Sequence, residues 1–211
     1  MAPTITAFTI QKRNKERVNL FLDGEYAFSL SLNTILGLQR GQCLSQVEID
    51  TLRRKDEILQ AYHAALRLLG YRPRSQVEMR RRLQRKGYGP ETVSAALQRL
   101  ADKHYLDDDA FARYWLEQRQ RSRPRGARAI DYELRQRGVD KDIIDQVLND
   151  LDEEASAWAA IEGKLNRWRA LDQAAFRKKA MGLLSRRGFS YDIVRHTCRK
   201  AWESMTALQD E

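Results

Sequence analysis

The segment Leu83-x-x-Lys86-Gly87-Tyr88 returns twice along the chain, as Leu134-x-x-Arg137-Gly138-Val139 and as Leu184-x-x-Arg187-Gly188-Phe189. The glycines at positions 87, 138 and 188 are therefore 51 and 50 residues apart. A fixed period of this size is typical of a repeat architecture. A cation precedes each glycine, which predicts a helix that ends in a left-handed C′ glycine, with the cation facing the negative end of the helix.

The repeat extends on both sides of the glycine. Met79, Ile130 and Ala180 lie four residues before the three leucines, as expected on one face of a helix. Downstream, apolar residues recur at i, i+4 and i+7. They are Val93, Leu97 and Leu100 in the first copy, Ile144, Leu148 and Leu151 in the second, and Val194, Cys198 and Ala201 in the third. Each copy therefore predicts three helices, the second of which ends at the glycine.

Helix starts are marked as clearly as helix ends. Ser45-Gln-Val-Glu48 and Ser75-Gln-Val-Glu78 both have the S-x-x-E form of a capping box. Pro90 suits a first helical turn, and Asp140 and Ser190 open later segments. The run from Asp107 to Asp109 allows a metal cluster, but its place at a helix start favours capping. Phe111, Tyr114, Trp115 and Gln118 share one helical face, and the aromatics are most simply core residues.

The residues before Ser45 have a different character. Ile5 to Ile10, Arg17 to Leu22 and Tyr26 to Leu30 are short runs rich in β-branched and aromatic residues, and Asp23-Gly24 is a hairpin turn signal. We therefore expect a mainly α protein, in which an elongated, curved array of three three-helix repeats follows a small antiparallel β meander. The expected segments are residues 1–44 for the meander, then repeats 45–106, 107–151 and 152–211.

The composition indicates an acidic partner. The 211 residues include 38 Lys and Arg against 29 Asp and Glu, a formal net charge of +9.

Cys43 and Cys198 form neither a disulfide framework nor a metal pair, and a Cys198 in the register of two leucines is expected to be a buried thiol. No export signal or membrane span is recognisable, so we expect a cytoplasmic protein. His63, His104 and His196 lie in no catalytic motif and no phosphate-binding loop occurs, so we expect no catalytic residue, cofactor or metal.

Cations cluster in corresponding parts of the repeats, and a solvated charged face and an extended basic surface both explain them. Arg81 and Arg85 are predicted to point away from the inward residues Met79 and Leu83. A further cluster, Arg177, Lys178, Lys179, Arg186 and Arg187, lies on the second helix of the last repeat. The candidate contact residues are Arg72, Arg74, Arg80, Arg81, Arg82, Arg85, Arg119, Arg121, Arg123, Arg125 and Arg128.

Several of these motifs together resemble the RecX family of bacterial recombination regulators. They are Tyr71-Arg72-x-Arg74-Ser75-x-x-Glu78, Leu83-x-x-Lys86-Gly87-Tyr88, Tyr105-Leu106-Asp107-Asp108-x-x-Phe111-Ala112, Pro124-x-Gly126 and Glu133-Leu134-x-x-Arg137-Gly138. The resemblance covers roughly Leu59 to Trp202. The third repeat departs from it, with Gln173-Ala174 in place of the proline motif.

The resemblance implies tandem three-helix repeats that bind the RecA recombinase filament on DNA. It also implies inhibition of filament growth, ATP hydrolysis, strand exchange and SOS coprotease activity, by a protein expected to be a monomer without membrane contact. Two alternatives stay open: a nonspecific clamp on single-stranded or duplex DNA, and a nucleic-acid enzyme that uses Asp107 to Asp109 with a divalent metal.

Overall fold

The computed structural model describes residues 2–207. It begins with a three-stranded antiparallel sheet in the order β1-β2-β3. The strands are β1 (Ile5–Ile10), β2 (Arg17–Leu22) and β3 (Glu25–Ser31). At the hairpin between β2 and β3, Asp23 and Gly24 both have positive φ, 48° and 90°. These are the angles that a type I′ turn requires, and the predicted β meander is confirmed.

Ten helices follow within the described residues. A short helix that the sequence analysis did not predict comes first, α1 (Leu32–Ile35). The other nine form three sets of three. They are α2 (Gln46–Leu69), α3 (Gln76–Arg85) and α4 (Pro90–Ala101); α5 (Asp108–Ser122), α6 (Ala127–Gln136) and α7 (Lys141–Asn149); and α8 (Glu153–Trp168), α9 (Gln173–Arg186) and α10 (Tyr191–Ala207). The predicted three-helix repeats are confirmed.

The chain folds into two units, Met1–Arg72 with Met79–Tyr105, and Pro73–Glu78 with Leu106–Glu211. In the first unit, the sheet packs its apolar face on α2, where Leu20 and Leu30 are fully buried beside Ile49. A buried carboxylate, Asp56, accepts hydrogen bonds from Arg17 Nη1 at 2.8 Å and from the Ser31 backbone N–H at 2.6 Å. This ion pair and the apolar face attach a sheet that is too small to be stable alone.

The glycine caps form as predicted. Gly87, Gly138 and Gly188 have φ of 92°, 74° and 83°. The residue after each glycine donates its backbone N–H to the carbonyl of Leu83, Leu134 or Leu184, the C-terminal bond of a Schellman motif. The three leucines are fully buried, as are Met79, Ile130 and Ala180. The period in the sequence therefore marks the core face of the second helix in each repeat.

Within the second unit, the middle helices of successive repeats are in contact. The C-terminal end of α6 contacts the N-terminal end of α3, and the C-terminal end of α9 contacts the N-terminal end of α6. At the start of α3, Ser75 Oγ donates to Arg137 O at 2.6 Å. At the start of α6, the Gly126 backbone N–H donates to Arg187 O at 3.0 Å. We call these two contacts the α3–α6 joint and the α6–α9 joint.

A carboxylate from the next repeat completes each joint. Asp108, the first residue of α5, accepts from the Gln76 backbone N–H at 2.8 Å. Glu153, the first residue of α8, accepts from the Ala127 backbone N–H at 2.7 Å. In both cases an acid binds a free N–H at a helix N-terminus, where the helix dipole favours negative charge. Equivalent residues of successive repeats thus do the same work.

Candidate polyanion interface

In the first repeat, α3 presents a cationic outer face. Met79 and Leu83 are fully buried, whereas the side chains around them are exposed. The exposed cations are Arg80, Arg81, Arg82, Arg85 and Lys86. Arg80 Nη1 donates to Ser94 Oγ at 3.1 Å, and Arg85 Nε donates to the Arg81 carbonyl at 3.3 Å. We call this set the α3 ridge, and its orientation is the one that the helical spacing predicts.

The two candidates that precede α3 are less accessible. Arg72 and Arg74 are both half-buried, on either side of Pro73. Arg72 belongs to the first unit and Arg74 to the second. The cations in the segment between α2 and α3 are therefore less exposed to solvent than those of α3 itself.

Arg119 and Arg125 lie in a half-buried network around Glu133, which is itself buried. Arg119 Nε donates to Glu133 Oε2 at 2.7 Å, and Arg125 pairs with the other carboxylate oxygen. Trp115 Nε1 also donates to Glu133 Oε2 at 2.7 Å. The guanidinium groups of Arg119 and Arg137 lie over the Trp115 ring, 4.4 and 3.6 Å from its centroid. Such stacking and pairing hold the two helices α5 and α6 together, so these two charges are largely neutralised within the repeat.

Three candidates of the second repeat are exposed. Arg121 forms an ion pair with Glu117 one turn earlier, at 2.6 Å, and Arg123 and Arg128 flank the Pro124-x-Gly126 turn. At that turn Arg187 joins from the third repeat and donates to the Pro124 carbonyl at 3.4 Å. Burial, together with the charges of Arg123 and Arg125, lowers the pKa of Arg187. The fold thus gathers positive charge at the α6–α9 joint.

The third repeat adds cations that the sequence analysis did not single out. Lys164 and Arg167 of α8 border the same groove as Lys178, Lys179 and Arg186 of α9. The signal that could have found them is the helical spacing of Lys164 and Arg167, three residues apart and thus on one face of α8. Of the predicted third cluster, Arg177 is exposed and Arg187 is half-buried at the joint.

The run of three acids at the start of α5 is engaged in local structure. Asp107 Oδ1 accepts from the backbone N–H groups of Asp109 and Ala110 at 2.9 and 3.1 Å, so the predicted N-cap is confirmed. Asp108 completes the α3–α6 joint, and its pKa is raised by burial more than the Gln76 hydrogen bond lowers it. Asp109 pairs with Arg113 at 2.9 Å. Among residues 2–207, no cluster of three or more His, Cys, Asp or Glu side chains is arranged to hold a metal ion.

Cys198 is buried as predicted, with 6% of its surface exposed. Burial raises the pKa of its thiol to about 11, although the nearby charge of Arg177 acts in the opposite sense.

Of the aromatic residues on α5, Phe111 is fully buried in the core of the second repeat, and Trp115 is half-buried against that core. In the described part of the chain, no helix is long and apolar enough to span a lipid bilayer.

Models of four protein domains match the chain in order. They are the RecX N-terminal domain at residues 3–45, and the first, second and third RecX three-helix domains at residues 61–100, 107–148 and 152–198. The regulatory protein RecX of Clostridium botulinum strain Eklund 17B is 31% identical over 93% of this chain and 95% of its own length. That of Bacillus subtilis strain 168 is 32% identical over 91% of this chain and 75% of its own.

Solved structures show the same fold. A crystal structure of regulatory protein RecX superposes with a TM-score of 0.74 at 24% identity, over 92% of this chain and 98% of that one. RecX from Lactobacillus salivarius superposes with a TM-score of 0.62 at 23% identity, over 70% of this chain and 97% of that one.

The fold and the exposed cationic helices define a class of protein built from a β meander and three-helix repeats, whose relatives are named as regulators. The four domain matches, and the sequence identity of about 31% over nine-tenths of the chain, identify the family within this class. This chain belongs to the RecX family of regulatory proteins.

Proposed function

We propose that this protein binds filaments of the RecA recombinase on DNA and inhibits filament growth, ATP hydrolysis, strand exchange and SOS coprotease activity. The α3 ridge is the observation that carries the proposal, because it places four exposed arginines on one helix of a RecX-family chain and a fifth exposed cation, Lys86, directly after that helix. A filament of RecA on single-stranded DNA carries the phosphate charges of the strand, so a cationic surface is complementary to it.

Such inhibition requires no catalytic group. A ligand shifts an assembly equilibrium only by its differential affinity for the two states. A protein that binds one state of the filament more tightly than another therefore changes its growth and its ATPase rate through binding alone. The role as a purely non-enzymatic regulator is part of this proposal.

We expect the exposed cations to make the contact. In the first repeat these are the members of the α3 ridge, and in the second they are Arg121, Arg123 and Arg128. Arg72 and Arg74 stay candidates as half-buried neighbours. Arg119 and Arg125 stay candidates as well, but their pairing with Glu133 favours a supporting role, in which they fix the turn that carries Arg123.

A titration of RecA ATPase activity on single-stranded DNA tests the proposal. We expect inhibition at fewer molecules of this protein than of RecA, since one bound molecule would affect a whole stretch of filament. A parallel titration with the nucleic acid alone measures direct binding. Undiminished ATPase activity at an excess of this protein would contradict the proposal.

The charge-reversal double variant Arg81→Glu with Arg85→Glu tests the α3 ridge. We expect at least a tenfold loss of inhibitory potency. Each lost phosphate contact removes roughly 0.7–0.9 of a unit from the log–log salt slope, which near 0.1 M salt weakens binding severalfold per contact. Both side chains are exposed, so the melting temperature should change little.

The matched control for this variant is Lys12→Glu with Arg13→Glu. These two exposed cations lie in the turn between β1 and β2 of the same unit, so the change in net charge is identical. Equal potency of the two double variants would show that only net charge matters and would remove the α3 ridge from the interface.

Direct binding to DNA is the second candidate function. The cations of the third repeat favour it, since they form a groove without an acidic residue in its lining. A clamp with about five phosphate contacts would show a salt slope near −4.5 on duplex or about −3.5 on a single strand. Naked-DNA binding as tight as the inhibition of RecA would favour the clamp over the filament proposal.

A further inference from the structure

Helices α8 and α9 of the third repeat border a groove with five cationic side chains on its walls. Lys164 and Arg167 come from α8, and Lys178, Lys179 and Arg186 come from α9. No carboxylate contributes to the lining. We call this feature the α8–α9 groove.

Its charges lack internal compensation. Among residues 2–207, no ion pair involves any of these five side chains. The cations of the second repeat differ, since Arg119, Arg121 and Arg125 each pair with a glutamate. Five like charges around one groove repel one another, and an anion bound between them would relieve that repulsion.

The floor of the groove has room for the guanidinium group of Arg186. It includes Gly182, and a Cβ at that position would lie 3.2 Å from Arg186 Nη1. The guanidinium of Arg186 therefore lies across α9 at the glycine. The equivalent residues of the other repeats, six positions before the cap glycine, are Arg81 and Tyr132. Only the third repeat has a residue without a side chain here.

The character of the lining favours a nucleic acid over a protein partner. Protein interfaces centre on exposed aromatic and apolar anchors and are depleted of charge at the core. The largest apolar residue of the groove, Trp168, is only 8% exposed. Interfaces with nucleic acids are much more positively charged. The observed lining, five cations above a floor whose largest apolar residue is buried, matches the second kind.

The dimensions favour one strand. Lys178 and Arg186 are eight residues apart, about 12 Å along the helix axis at 1.5 Å per residue. That length is several times the roughly 3.4 Å between neighbouring phosphates along a duplex axis, so the row of cations spans more than one phosphate even of an extended strand. Packed helices are about 8–10 Å apart between their axes and leave no channel between them, but both rows of cations can contact one backbone that lies on the outer surface of the pair.

We infer that the α8–α9 groove binds the sugar–phosphate backbone of a single nucleic-acid strand. This inference deepens the proposed function, on which it rests for the source of the strand, the single-stranded DNA of the filament. It gives the third repeat a binding role of its own. Because the lining of the groove contains no exposed aromatic side chain that could stack on bases, the contact is electrostatic and independent of base sequence.

Fluorescence anisotropy with a labelled single-stranded oligodeoxythymidine tests the inference. We compare the intact protein with the double variant Lys178→Gln and Arg186→Gln over a series of salt concentrations. We expect binding at least tenfold weaker near 0.1 M salt, and a log–log slope shallower by about 1.4, since two phosphate contacts are lost at roughly 0.7 each.

The matched control is Arg195→Gln with Arg199→Gln. These exposed cations belong to α10 of the same repeat and border a different groove, together with the acids Glu154 and Asp192. We expect this variant to bind the oligonucleotide within about twofold of the intact protein. Circular dichroism and melting temperature confirm that both variants fold.

Three results would overturn the inference. The first is unchanged affinity and salt slope in the α8–α9 groove variant, and the second is equal loss in the control. The third is equally tight binding of a duplex of the same length. Failure of the proposed function is a separate result, because it is read from RecA ATPase activity: the intact protein would leave the ATPase rate unchanged whatever its affinity for the oligonucleotide.

Discussion

A single atom decides what each cap glycine tolerates. All three have positive φ, but their surroundings differ. A Cβ at Gly188 would lie 2.5 Å from Ala129 Cβ and 2.6 Å from the Ala129 backbone nitrogen, and one at Gly138 would lie 2.5 Å from Val77 Cγ2. A Cβ at Gly87 would have no heavy atom of the described residues within 4 Å, apart from atoms of its chain neighbours. Glycine is therefore required at positions 138 and 188 for two reasons, the positive φ and the lack of space for a Cβ. At position 87 only the positive φ requires it.

We predict that Gly188→Ala is much more harmful than Gly87→Ala. The shared left-handed conformation costs about 1–2 kcal/mol for an alanine, and overpacking at Gly188 adds about 1–3 kcal/mol. Urea unfolding of the two variants, side by side, measures the difference. Equal shifts of the unfolding midpoint would show that the α6–α9 joint is not close-packed.

The two cysteines should react at very different rates. A thiol attacks as the thiolate, and a pKa of about 11 keeps Cys198 protonated from neutral pH up to about pH 10. We expect an aromatic disulfide reagent at pH 8 to label the exposed Cys43 quickly and Cys198 only on unfolding. The variant Cys43→Ser should lose the fast phase. A fast phase of two thiols in the native protein would contradict the buried placement of Cys198.

At the scale of elements, the pair α5 and α6 depends on a carboxylate. Glu133 on α6 is buried and neutralises two arginines of the α5–α6 segment. Removing one partner of a buried ion pair costs about 3–5 kcal/mol. Because the side chains of Arg119 and Arg125 are 26% and 27% exposed, solvent reduces that cost.

We predict that Glu133→Gln lowers the free energy of unfolding by about 2–3 kcal/mol. The control is Asp131→Asn on the same helix, whose i,i+4 pair with Arg135 is worth about 0.3–0.5 kcal/mol. Thermal melts of both variants provide the measurement. Indistinguishable melting temperatures would mean that Arg119 and Arg125 do not need Glu133, which would return them to the front of the candidate contact residues.

Which elements could be predicted from the sequence follows from the range of the interactions that form them. Caps, turns and the i, i+4 stripes are local, so the glycine ends of α3, α6 and α9 and the Asp23-Gly24 hairpin were all readable. Helix α1 has four residues and no periodic pattern, so it gave no signal. The pairing of Arg119 and Arg125 with Glu133 joins two helices, and spacing within one helix does not reveal it.

At the scale of the molecule, the sequence predicted the order of a β meander and three repeats, but not how a repeat is joined to the next. The segment boundaries at residues 44, 106 and 151 stay predictions, which limited proteolysis would test. Asp108 and Glu153 illustrate the difficulty. Each reads as an acid in the first turn of its own helix, whereas its partner is the N-terminus of a helix more than twenty residues earlier.

The joints have a consequence for how such chains lengthen. Both joints are built from the same parts: a cap glycine without a side chain, a carbonyl at the helix end, and an acid at the start of the following first helix. A tandem duplication of the middle fifty residues would carry a complete set of these parts at each of its borders. Gene duplication could therefore insert a further middle repeat that forms both joints with the residues already present. Deletion of a middle repeat could likewise leave neighbouring repeats whose joint residues match.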